Sequence, residues 1–435
     1  MIKYFKVLVY IFTVLHSSAV LSSSYNIKEI ETKLGLKFWF IQDDTVPLVS
    51  LNFSFRNSGF SADPSGKEGL GRMVSFMLDE GAGKYNSVDY KNRLEKIAAR
   101  ISFSTNRDHF HGNLWTLSTK WEEALNMLRL SVTLPRFDSS AVDRIRAKML
   151  LSLRRKSESP NWISRKTWLQ TVFPNHPYSN IGDGSEESLT GISIDDLKSY
   201  VKNRFVRENL KIAAVGNISE ERLRNDIDLI FGELSLQGKT VKISYTDPPQ
   251  IGKTIILRRP ISQSIVMLGH RGIRRDNPDW YAAMLLTHIF GGGLSSRLSW
   301  EVREKRGLAY SIYAYLNPMQ HSTVLASKVA TKNSRVSDSI QLIRDEWKKI
   351  SRNGISEQEL RDAKAYLNGS FPLLFRSGQT IANLLLQTQL LNLTIADVEN
   401  RALLINSVSL KHANRVAEQL YNEEALTVVV VGNPK

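Results

Sequence analysis

The chain has 435 residues, 42% hydrophobic and 23% charged, a balance that excludes long stretches of intrinsic disorder. Single cores stop growing near roughly 250–300 residues, so two domains are expected. The absence of cysteine excludes disulfides and thiolate metal sites. A formal charge of +15 favours acidic partners or an anionic surface; the basic residues are nevertheless spread along the chain, without a binding motif, which argues against nucleic acid.

Residues 1–24 join a basic start (Lys3, Lys6) to a short apolar run, Val7 to Leu15, and then to small residues ending at Ser22-Ser23-Ser24. This is the pattern of a secretory signal peptide, and the apolar run is too short to span a bilayer, which takes about 20 residues. The mature protein is therefore expected in the periplasm or outside the cell, with no integral membrane segment. From Gly35 a β-rich run leads to a second strand, Leu48 to Phe55. Trp121 to Leu134 has the apolar spacing of an amphipathic helix, with Ala124, Leu125, Leu128 and Val132 on one face. Arg154-Arg155-Lys156 reads as a solvated helix face, and His176, before Pro177, as a turn residue. Leu210 to Asn217 is a strand ending in Gly-Asn, and Leu426 to Asn433 repeats it 216 residues later. Gly35 and Gly59 have counterparts at Gly252 and Gly272, at offsets of 217 and 213. Asp338 to Ile350 is again helical. A duplicated domain follows, with copies at 25–240 and 245–435 joined through Asp247-Pro248-Pro249. The mixture of strands and helices predicts an α+β fold, each copy a mostly antiparallel sheet flanked by helices.

Two stretches carry chemistry. Residues 174–184 read Pro-Asn-His-Pro-Tyr-Ser-Asn-Ile-Gly-Asp-Gly, and residues 291–315 run from Gly291-Gly292-Gly293 through Arg303 and Gly307 to Tyr310 and Tyr315. Ser296 can cap a helix running to Lys305, which Gly307 stops before a strand begins at Tyr310. Arg303 then lies in the last helical turn with Tyr310 just across it. A guanidinium and a phenol converging there would hydrogen-bond a peptide carbonyl; a surface ion pair and a packed ring are the plainer alternative. The triple glycine lacks the Gly-Lys-Ser/Thr of a phosphate loop and reads either as a flexible loop or as a helix terminator. His109 and His111, two apart on a strand, share one face and offer two donors without an evident third.

Both stretches resemble the signatures of the insulinase-like M16 peptidases, in particular the M16B subfamily related to mitochondrial processing peptidase. The resemblance covers the chain from roughly residue 30 to its end. It implies a chamber of four homologous α+β domains, two per subunit. One half would supply zinc through His-x-x-Glu-His, with a third acidic ligand about 75 residues later; the other half would supply an arginine and a tyrosine. Here the motif falls in Gly69 to Leu78, where Arg72 and Phe76 replace the histidines and Ser75 the glutamate. Leu151 stands at the third-ligand position. Arg and Phe donate nothing to a cation, so no metal is expected in this chain. Arg303 and Tyr310 match the substrate-side pair, with Gly291, Gly292 and Gly293 as a channel loop. The resemblance thus implies a non-metal, substrate-binding subunit acting on unfolded peptides. Zinc would reside in a homologous partner with an intact motif, in a heterodimer or a self-pair. Two alternatives stay open: an inactive peptide-binding scaffold, and an enzyme using His109 and His111.

Overall fold

A computed structural model describes residues 26–239, 241–249 and 252–435; the signal-like segment lies outside them. Two sheets account for nearly all the strands. The first contains β1 (Lys28–Glu31), β2 (Lys37–Gln42), β3 (Leu48–Arg56), β6 (Arg100–Thr105), β7 (His109–Leu117) and β8 (Leu210–Gly216). Their order is β1-β2-β8-β3-β7-β6, and a small hairpin of β4 (Gly81–Ala82) and β5 (Tyr85–Asn86) stands apart. The second sheet contains β9 (Thr254–Arg258), β10 (Gln263–Arg271), β11 (Ala309–Met319), β12 (Ser322–Lys332) and β13 (Thr427–Gly432). Its order, β11-β12-β10-β13-β9, repeats the first sheet strand for strand once β1 is set aside. In each sheet one pair is parallel, β2 with β8 and β9 with β13, and the remaining pairs are antiparallel. The fold is α+β and duplicated, as the sequence offsets predict.

The recurring Gly-Asn ends have a steric cause. Gly216 closes β8 at φ +145° beside Val49, and Gly432 closes β13 at φ +159°. A Cβ on Gly216 would run into the Leu48 carbonyl, and one on Gly432 into Ser264. Glycine is the residue that tolerates both the backbone angle and the approach.

β8 (Leu-Lys-Ile-Ala-Ala-Val-Gly) and β13 (Thr-Val-Val-Val-Val-Gly) do not alternate apolar with polar; nearly every residue is buried. Such runs mark strands covered on both faces. One face of each sheet packs on helices of its own half, through Leu125, Leu128, Ile227 and Phe231 in the first and Leu286, Phe290, Ile343 and Trp347 in the second. The other face is covered by a helix from the opposite half. Pro160–Val172 lies on β13 and β10, burying Trp168 and Leu169 against Met267, Val429 and Val431. Gly378–Leu390 lies on β3 and β8, burying Leu385 and Leu386 against Ala213 and Val215. Trp168 Nε1 donates to the Thr427 carbonyl at 3.0 Å, and Gln389 Nε2 to the Ile212 carbonyl at 2.9 Å. The two helices have equal length and are the same element of the repeat.

The spans 25–240 and 245–435 therefore each contain one sheet, but neither contains all the layers of that sheet. Expressed separately, each half is expected to aggregate or to bind a hydrophobic dye, and co-expression should restore a folded pair. Two monodisperse, cooperatively unfolding halves would contradict the exchange.

Candidate functional site

The helix Leu70–Met77 buries Leu70, Met73, Val74 and Met77 in the first core. Its N-cap Gly69 offers no side chain; Asp63 serves instead, accepting from the amides of Gly69 and Gly71 at 3.0 Å each. Burial pushes the Asp63 carboxyl up to about 7, against the opposing pull of Arg204 and of those two amides. Arg72 and Phe76 project from the remaining flank. They line a cavity of about 70 Å³ together with Lys148, Met149, Ser152, Leu153, Lys156 and Asp183.

Among the described residues Asp183 is the only acid lining that cavity, and it has three donors. It accepts from Arg72, from Lys156 Nζ at 2.7 Å and from Trp162 Nε1 at 2.7 Å. Lys148 lies over the Phe76 ring at 5.7 Å. Ser75 turns its hydroxyl back to the Arg72 carbonyl at 2.7 Å, so it presents no group to the cavity. Burial, and then the charge of Arg165, depress the affinity of Arg72 for its proton; Lys156 is lowered by burial and then by Arg72. Three cations around one neutralised carboxylate repel a divalent metal, and zinc does not fit these residues. Two expectations need correction here. Leu151, at the third-ligand position, is 56% exposed and does not line the cavity, whereas Met149 and Ser152 do. One residue along a helix is a rotation of about 100°, enough to turn Leu151 to solvent. Lys156, expected on a solvated face, turns inward to Asp183, whereas Arg154 pairs with exposed Glu186.

His109 and His111 share one face of β7, their ring centroids 6.0 Å apart. His111 Nε2 meets the Asn106 amide at 2.8 Å. Among the described residues no group of three or more His, Asp or Glu is placed to hold a metal. Burial, followed by the charges of His111 and Arg56, brings His109 down to about 3; burial brings His111 to about 4. The folded rings stay neutral while the unfolded chain takes up protons below about pH 6.5. Their contribution to stability is therefore complete above that pH and is lost as pH falls through 6.5 toward 3. Ring resonances of both histidines should not titrate between about pH 7.5 and 5, while the thermal midpoint falls. A ring titrating near its ordinary value would contradict this.

The second candidate region is on the opposite half. Ser299–Glu304 forms a π-helical turn in place of the regular helix expected there, with the Lys305 amide bonded five residues back, to the Trp300 carbonyl, at 2.9 Å. Such wide turns recur at functional sites. Gly307, at φ +58°, ends the turn with its amide on the Arg303 carbonyl at 3.0 Å. Glu301 takes Lys305 at 3.4 Å and also pairs with Arg306, leaving Arg303 only its neighbour Glu304 at 3.3 Å. An exposed pair of that kind contributes about 0–1 kcal/mol. A bulge between Ala309 and Ser311 breaks the alternation of β11 and leaves Tyr310 86% exposed. Neither side chain has an internal structural task, so both are free to meet a ligand. The triple glycine divides. Gly291 ends the helix Trp280–Gly291 close against Ala314, and a Cβ on Gly292 would press on His288, but Gly293 has space. Gly291 and Gly292 terminate a helix; Gly293 and the 75%-exposed Leu294 form the exposed loop.

The chain is similar to known proteins along most of its length. The family description "Insulinase (Peptidase family M16)" matches residues 49–181, and "Peptidase M16 inactive domain" matches 191–367. A Helicobacter pylori protein called non-peptidase homolog YmxG is 27% identical over 91% of each chain. A Bacillus subtilis protein called uncharacterized zinc protease YmxG is 22% identical, covering 92% of this chain and 96% of its own. The crystal structure titled peptidase M16 inactive domain from Pseudomonas fluorescens superposes with a TM-score of 0.88 at 26% identity, over 94% of this chain and 98% of that one. With one family match in each half and a common fold across nearly the whole length, the chain belongs to the insulinase-like peptidase M16 family.

Proposed function

We propose that this chain is the non-metal, substrate-binding subunit of an exported M16B zinc endopeptidase, its partner a homologue carrying His-x-x-Glu-His. The observation that carries the reading is an asymmetry. The zinc-equivalent cavity is filled by Arg72, Lys156 and Asp183, whereas Arg303 and Tyr310 stand exposed on a π-turn and a bulge. Arg303 and Tyr310 would donate hydrogen bonds to a peptide carbonyl held at the partner's site and stabilise the charge that develops on its oxygen. Zinc, bound in the partner, supplies the Lewis acidity; no step runs through a metal in this chain. Substrates are unfolded peptides. Export follows from residues 1–24 acting as a signal peptide, which places both subunits in the periplasm or outside the cell.

The name of the Helicobacter pylori relative favours a second reading, a catalytically inactive chamber that captures peptides or organises a complex. Co-expression with an exported zinc-motif homologue decides between them. The first reading expects a copurifying pair that cleaves unstructured peptides faster than the homologue alone. Failure to associate, or association without any gain in cleavage, would remove it and leave the scaffold.

A further inference from the structure

The exchanged helix Pro160–Val172 leaves the β11 side of the second sheet uncovered, and a pocket of about 430 Å³ opens between them. That volume falls within the range of small-ligand sites. Its floor is apolar, made by Trp168, Leu169, Met267 and Val324. Above it stand Arg165, Lys328, Tyr313 and Tyr315. Tyr313 pairs across the ladder with Lys328, and Lys328 in turn with Met267, so the three form one row on this face.

Among the described residues no Asp or Glu lines the pocket. Arg107, also in its wall, is committed to the carbonyls of Tyr178 and Asn180. Arg165, exposed at the pocket mouth, and Lys328, half-buried, have no hydrogen-bond or ion-pair partner among the described residues. Burial and the charge of Arg165 lower Lys328, so the two cations disfavour one another at rest. Burial, and then Tyr313, raise the Tyr315 phenol, which remains a donor. The charge of Arg165 also lowers Arg72 and Lys156, after burial, so Arg165 lies between the pocket and the zinc-equivalent cavity in electrostatic reach of both. Two unpartnered cations and two phenols above an apolar floor form a donor set that lacks an anion.

We propose that this pocket binds a carboxylate carried by an unfolded peptide, either an acidic side chain or the C-terminal group. The inference rests on the peptide-binding reading above and gives it a substrate class. It needs no partner and no metal, so it is testable on the isolated full-length chain.

Four fluorescent unstructured peptides serve as probes: one rich in glutamate, its glutamine counterpart, and the C-terminally amidated form of each. By anisotropy at low salt, a carboxylate-bearing peptide should bind at least about tenfold more tightly than the neutral amidated one. The double variant R165Q/K328Q should remove that preference while leaving affinity for the neutral peptide unchanged. Its thermal midpoint should be unchanged or raised, because it relieves repulsion. A preference that follows glutamate assigns the pocket to side chains, and one that follows the free terminus assigns it to the chain end; both support the proposal. Equal affinity for all four peptides, or a preference that survives in the double variant, overturns it while leaving peptide capture standing. No binding of any peptide by the isolated chain overturns the carboxylate site, while the two-subunit reading stands or falls on the co-expression assay.

Discussion

Replacing Arg303 by alanine in the proposed two-subunit enzyme is expected to lower kcat/KM by about 100-fold, because removal of one oxyanion donor, the role proposed for Arg303, typically costs about 10²–10³ in rate. The thermal midpoint of this chain should hardly move. Arg303 has one exposed contact, Glu304 at 3.3 Å, and surface changes of that kind stay within about 0.5 kcal/mol. Tyr310→Phe should give a smaller loss of the same type, since the 86%-exposed ring stays and only the donor goes. If the R303A variant retained full activity with every peptide, the pair would be a bystander and the scaffold reading would gain. A large drop in midpoint would instead show that Arg303 supports the fold.

The second large effect is on stability. Asp183→Ala is expected to lower the thermal midpoint by roughly 2–4 °C. The carboxylate, whose side chain is 9% exposed, accepts from Arg72, Lys156 and Trp162. Breaking a buried pair from one side costs about 3–5 kcal/mol. Arg72 and Lys156 retain 24% and 41% side-chain exposure, and solvent screening brings the expectation to about 2–3 kcal/mol. In a cooperative unit of this size each kcal/mol corresponds to about 1 °C. Arg154→Ala is the control, because Arg154 and Glu186 are both exposed and their pair should contribute little. A shift below about 1 °C for D183A would mean that water reaches the cavity and that Arg72 closes it less firmly than described.

The duplication is legible in the sequence because its markers are sterically obligatory. Gly216 and Gly432 end equivalent strands at angles and approaches that other residues do not tolerate. The replacements at Arg72, Ser75 and Phe76 are legible for a related reason, since metal donors are a short list of residue types. The helix exchange is not legible. The apolar face of Pro160–Val172 says only that Trp168 and Leu169 are buried; the choice between two similar sheets lies in the tertiary packing. Asp183 was visible within residues 174–184 between two glycines, but the donors that meet it come from the separate stretches at 72, 156 and 162. Leu151 was misplaced by about 100° of helical rotation, a matter of one residue. The pocket at Arg165 and Lys328 had no local signal, because its walls are a helix of one half and a sheet of the other.

The proposed function puts metal and substrate contacts on different subunits. Zinc content measured per chain, on this protein alone and on its complex with a zinc-motif homologue, separates that arrangement from a self-sufficient enzyme. No stoichiometric zinc is expected in the isolated chain and one zinc per heterodimer, with peptide cleavage appearing in step with that single metal. One zinc per molecule of the isolated chain, accompanied by cleavage, would contradict that arrangement.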